Sequence, residues 1–132
     1  NYMTIDQMRQ SMAQIYERLA DGGKLVFSLP HPVNPFLGGE DSKFHFKRSG
    51  GWFSGKDNVF EGTIALSGGN TVSVRCIHKI FEDVMTALQD AGFQKFPDLK
   101  ELGVTEKLLQ QDEEFFGPLR DKPLHLAMRV ER

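Results

Sequence analysis

The chain has 132 residues, enough for one domain with a genuine core and too few for two. Hydrophobic residues make up 39% and charged residues 26%, in the ordinary range for a globular chain, and 16 basic against 18 acidic side chains leave a net charge of -2. With no Lys/Arg block, a single cysteine (Cys76) and no apolar run near the ~20 residues of a membrane span, the sequence argues against nucleic-acid binding, an internal disulfide, a multi-cysteine zinc site and a transmembrane helix.

The first predicted element is a helix. Thr4 followed three residues later by Gln7 has capping-box spacing, and Ile5, Met8, Met12, Ile15 and Leu19 then form one apolar stripe. Asp21-Gly22-Gly23 offers a left-handed terminator. The run Lys24-Leu25-Val26-Phe27-Ser28-Leu29, closed by Pro30, reads as a strand buried on both faces. Helix, glycine turn and strand make half of a βαβ unit, predicting an α/β sheet with helices on its faces. The strand that should precede the helix is expected upstream of residue 1. A first residue that is not an initiator Met fits the same expectation, that this is the middle of a longer gene product.

Residues 30 to 62 show neither period and are rich in Gly, Pro and aromatics, the composition of a lid or binding loop. Residues 63–66 and 71–75 flank Ser67-Gly68-Gly69-Asn70 as a hairpin. A second helix is predicted from about Lys79 to Asp90, with Ala91-Gly92 closing it, and a short strand from Phe93 to Phe96. The charged stretch 98–123 is expected to be irregular apart from a short helix near 105–116 that includes a solvated Asp112-Glu113-Glu114. Leu124, Leu126, Met128 and Val130 alternate as a one-faced strand at or near a sheet edge. Repeats and internal linkers are absent, so residues 1–132 are read as one partial domain.

The order helix, "LADGGKLVFSLPHPV", aromatic insertion, "IHKIFEDVMTALQDAGF" and final "KPLHLAMRVER" resembles the C-terminal half of class I methyltransferases, within them the UbiE-like small-molecule branch. The resemblance implies a partial Rossmann-like sheet whose last strand is antiparallel and inserted among parallel ones. It also implies S-adenosylmethionine as cofactor and a small-molecule methyl acceptor. The stub Asn1-Tyr2-Met3 resembles the family's "H-Y-(I/M)", which implies a place for Tyr2 beside the cofactor. Pro30 stands where the family often has an acid, and Ile80 where it often has Thr or Ser. The glycine-rich loop and the acidic residue with which the family holds the methionine and ribose moieties are not in these 132 residues.

Ligands of open α/β sheets sit beyond the carboxyl ends of the strands, so Ser28, Pro30 and His31 are expected at such a crevice. His31 and His78 are the candidate bases, each weighed against a local structural role. Trp52 and Phe53, with Phe44 and Phe46, are candidates for a lid over an apolar acceptor, or simply for covering the sheet edge. His45 and His125 read as surface residues. No phosphate loop, hydrolase elbow or metal-ligand spacing is found. Two functions follow: a small-molecule methyltransferase whose cofactor half lies elsewhere, or a catalytically silent, methyltransferase-derived subunit of an assembly. A half-sheet exposes an edge and an apolar face, so the chain by itself is expected to need a protein partner to cover it, which favours the second reading.

Overall fold

The computed structural model describes residues 2–39, 42–66 and 68–132. Asn1 and Ser67, which the resemblance and the hairpin turn invoked, lie outside them. The chain is mixed α/β, and the described residues build two three-stranded antiparallel sheets with two long helices packed on one of them.

Helix α1 spans Ile5–Arg18. The capping box forms as the spacing predicted, with the Thr4 hydroxyl accepting from Gln7 N–H at 3.1 Å and the Gln7 side chain accepting from Thr4 N–H at 2.9 Å. The glycines do not end it. The chain turns extended at Leu19, whose N–H donates to the Ile15 and Tyr16 carbonyls, and Gly22, at φ 73°, serves the turn into the next strand. Helix α3, Phe81–Ala91, does end on a left-handed glycine, Gly92 at φ 111°. Its start lacks a hydroxyl cap because Ile80 occupies that position; instead the Asp83 carboxylate accepts from the Ile80 N–H at 2.9 Å.

The first sheet has the order β1-β6-β5, with β1 at Lys24–Pro30, β5 at Asp98–Leu102 and β6 at His125–Glu131. β6 is antiparallel to both neighbours, so β1 and β5 run in the same direction with the reversed last strand between them. This is the inserted antiparallel strand that the resemblance implied. It corrects the placement of β6 at an edge: its one-sided alternation arises because helices cover only one face of the sheet. The same geometry corrects the two-faced burial expected of β1. Leu25, Phe27 and Leu29 pack toward Met8, Met12, Val84, Leu88, Leu126, Met128 and Val130, whereas Val26, on the opposite face, is 68% exposed. That opposite face is laced by charge, with Arg129 donating to Asp98 at 2.9 and 2.5 Å and Lys95 to Glu131 at 2.6 Å. No parallel pairing occurs among the described residues, so the parallel sheet inferred from the half βαβ unit is reduced to the shared direction of β1 and β5.

The strand predicted at Phe93–Phe96 forms after Pro97 instead. Phe93 is buried edge-on against the Tyr16 ring, and Phe96 is exposed. The helix predicted for 105–116 breaks in two, α4 at Glu106–Gln111 and α5 at Glu113–Phe116, because Asp112 leaves helical geometry and caps α5 by accepting from Phe115 N–H. A 3-10 turn follows at Gly117–Leu119.

The second sheet is a meander: β2 Phe44–Lys47, β3 Val59–Ala65 and β4 Thr71–Ile77. The hairpin was legible, with Ile64 opposite Val72, but β3 begins earlier than expected. The supposed loop 30–62 therefore contains a short helix α2 (Asn34–Leu37), β2 and the start of β3. By register, Phe44, Phe46, Phe60, Ile64, Val74 and Cys76 share one face of this sheet. Among the described residues no helix is long and apolar enough to cross a membrane.

Candidate functional site

Between α1, the carboxyl end of β1 and the aromatic face of the second sheet lies a cavity of about 570 Å³. That is within the usual range for a small-molecule site. Met8, Met12 and Ile15 come to it from α1, Phe27 and Leu29 from β1, and Phe44, Phe46, Ile64 and Val74 from the second sheet. Its polar wall includes Ser28, His31, Asn34, His78, Lys79 and, at the rim, the largely exposed Tyr2. Among the described residues no Asp or Glu lines it.

The structure thus brings together Tyr2, Ser28, Pro30, His31 and His78. Trp52 and Phe53 do not line the cavity: Phe53 is 73% exposed, and Trp52 packs edge-on against Phe36 and His78. Of the four aromatics proposed for a lid, Phe44 and Phe46, from β2, are the two that line the space.

The two histidines differ in what their rings are free to do. His31 follows β1 and is held by its own N–H to the Leu124 carbonyl. Its Nδ1 accepts from the Val33 N–H at 3.2 Å, which puts the proton on Nε2, 3.1 Å from the Glu101 carboxylate. Both ring nitrogens are therefore committed, and His31 is suited to locking the Pro30–Val33 turn.

His78 sits in the turn between β4 and α3, fixed by its N–H to the Asn58 carbonyl and its own carbonyl to the Asp57 N–H. The ring is stacked on Phe60, with centroids 5.1 Å apart and planes 10° apart, and its edges meet Phe36 and Trp52. Nε2 donates to the Trp52 carbonyl at 2.9 Å, so the lone pair is on Nδ1. No described residue bonds Nδ1, and His78 is among the residues that line the cavity. Burial pushes the His78 pKa below the usual histidine range, against the smaller upward pull of the Trp52 carbonyl and Asp83. The ring is neutral at pH 7 and able to accept a proton.

Sequence reasoning assigned no role to Lys79 or Cys76. Lys79 is buried on the cavity wall, and its Nζ donates to the Ile77 carbonyl at 3.2 Å. Burial lowers its pKa, partly offset by Asp57, Cys76 and Asp83. The signal was present in Ile77-His78-Lys79-Ile80-Phe81, where a single cation interrupts an apolar run. Cys76, also buried, has its thiol pushed up by burial and forms an unreactive apolar part of the wall. Among the described residues no three His, Cys, Asp or Glu side chains are grouped to hold a metal.

No protein-family model matches the chain, and no curated protein matches it. Among solved structures, the chain is similar to the CcbJ methyltransferase from Streptomyces caelestis, at 15% identity and a TM-score of 0.45. The match covers 98% of this chain and 55% of that one, so the chain spans about half of that protein's length.

Proposed function

We propose that this chain supplies the acceptor-binding side of an S-adenosylmethionine-dependent methyltransferase acting on a small apolar molecule. The observation that carries this reading is the cavity beyond the carboxyl end of β1, apolar on most of its wall and bordered by a neutral imidazole. The resemblance in the order of elements and in the local sequence words supplies the reaction class.

Displacement at a methyl carbon asks a protein mainly to position the acceptor and, where an O–H or N–H is methylated, to receive its proton. Met8, Met12, Phe44 and Phe46 would orient the acceptor body by apolar contact. His78 Nδ1 would take the proton. The Trp52 carbonyl, already bonded to Nε2–H, would then face an imidazolium and bind it more strongly. Phe60 and Phe36 keep bulk water from that ring.

The cofactor would supply the electrophilic methyl group, but the described residues do not by themselves fit it. No carboxylate lines the cavity for the ribose hydroxyls, and neither strand-to-helix turn at the cavity, 31–33 or 78–80, contains a glycine for close backbone approach. In this proposal the cofactor grip and the cover for the free edge of β1 come from other residues, on this gene product or on a partner. The second reading, a catalytically silent subunit, is favoured by that missing grip together with the uncovered outer face at Val26.

The test is direct binding. The folded chain is titrated by calorimetry with S-adenosylhomocysteine and with a panel of small apolar alcohols and amines. Heat from members of the acceptor panel without heat from the cofactor product is the expected result. A silent panel would sink the acceptor reading and leave the structural subunit, and micromolar binding of the cofactor product would refute the division of labour.

A further inference from the structure

The cavity is apolar on most of its wall, yet that wall includes a buried cation with no carboxylate in direct contact among the described residues. Lys79 forms no ion pair among the described residues. The carboxylates nearest to it are engaged elsewhere: Asp83 pairs with Lys56 at 2.8 Å and accepts from Ile80 N–H, and Asp57 accepts from Ile5 N–H at 2.9 Å. One of the three ammonium protons is on the Ile77 carbonyl. Arg75, which also borders the cavity, differs in both respects, being exposed and having Glu61 as its cross-strand neighbour. Taking an ammonium out of water without a counter-ion is costly, and a chain could relieve that cost by replacing the lysine with an apolar residue.

We infer that the cavity binds an apolar ligand bearing one carboxylate, with the Lys79 ammonium as its counter-ion. One buried ammonium on a wall where the described residues place no carboxylate matches a monoanion in charge, whereas a dianion would leave a charge unbalanced. The apolar wall formed by Met8, Met12, Phe44, Phe46 and Ile64 receives the ligand body. Lowered affinity of the lysine for its own proton follows from the same burial and is reversed when the carboxylate arrives. The inference deepens the acceptor reading by naming the chemical class of the ligand, and as an account of turnover it rests on that reading.

The experiment compares two probes with the same fluorescent body, pyrenebutyrate and the neutral pyrenebutanol, titrated into the chain and into Lys79→Met and Lys79→Arg. The wild type is expected to bind the acid about 10-fold or more tightly than the alcohol, the usual gain from a charge-assisted hydrogen bond in a dry site. Lys79→Met should abolish that preference by weakening the acid alone, and Lys79→Arg should retain it. Equal affinities in the wild type, a preference that survives Lys79→Met, or no binding of either probe would overturn the inference. The acid-to-alcohol ratio in the wild type needs no variant to fold. Because the readout uses neither cofactor nor turnover, a failure of methyl transfer would leave it intact.

Discussion

Phe60 is the floor on which the His78 ring rests, and its removal should register in both stability and titration. The side chain is wholly buried, stacked on His78 and edge-on to Phe36. Gly55 already presses on it from behind: a Cβ added there would stand 2.8 Å from the ring. With backbone on one side and aromatic rings on the others, the site has little freedom to collapse. Phe60→Ala should therefore fall in the upper part of the Phe-to-Ala range, about 4 kcal/mol. For a chain of 132 residues that corresponds to a fall in Tm of roughly 10–15 °C. The cavity left beneath the imidazole also admits water, so the His78 pKa should rise toward the ordinary value of about 6.5. Urea denaturation reads the first quantity, and an NMR titration of the imidazole resonances reads the second, with Phe60→Leu as a milder variant. A loss below about 1 kcal/mol, or an unmoved His78 titration in a folded variant, would refute the claim that Phe60 both supports and dries this ring.

Lys79→Met should make the chain more stable at neutral pH. Burial lowers the lysine pKa in the fold, so the unfolded chain holds that proton more tightly; the penalty fades as the pH climbs from the lowered folded value toward the unfolded value of about 10.4. Urea midpoints at pH 7 and pH 10 check it, and destabilisation at pH 7 would contradict it. For His78 the lowered pKa means that the unfolded chain protonates first. The neutral ring's contribution to stability is complete above about pH 6.5 and is lost as the pH falls toward the folded value, a slope that His78→Gln should flatten in acid titrations. Gly92→Ala should cost about 3 kcal/mol, combining a left-handed backbone with a Cβ that meets the Tyr16 ring at 2.9 Å. Gly22→Ala, left-handed but with open space around it, should cost about 1 kcal/mol; equal losses in thermal melts would show that Tyr16 yields freely.

What could be read in the sequence was whatever follows from local rules. Thr4 and Gln7, the apolar stripe of α1, the α3 face and the Ile64–Val72 hairpin are all set by neighbours within a few residues. β5 was misplaced because its sequence, Asp-Leu-Lys-Glu-Leu, has no strand-like apolar pattern; its ladder and the Asp98–Arg129 pair come from a strand that begins 27 positions after Asp98. β2 was hidden because Phe44-His45-Phe46-Lys47 alternates over only four residues. At the site, position after β1 directed attention to Ser28, Pro30 and His31, which line the cavity. The division of roles between His31 and His78 depends on Val33, Glu101 and the Trp52 carbonyl, and so was legible only from the coordinates. Lys79 was overlooked because a charged residue in a sequence reads by default as solvated.

The central position of β6 also bears on the order in which the molecule can be assembled. β1 and β5 are made earlier on the ribosome, but neither has a partner in this sheet until residues 125–131 arrive between them. The register joins Lys24 to Glu131 across nearly the whole chain, a separation that makes closure slow compared with the local hairpin of β3 and β4. A nascent chain would therefore carry a finished aromatic meander and two capped helices while the sheet that organises them waits for the last strand. Removing residues 125–132 would take away both ladders at once and strip Leu126, Met128 and Val130 from the core on which α1 and α3 pack.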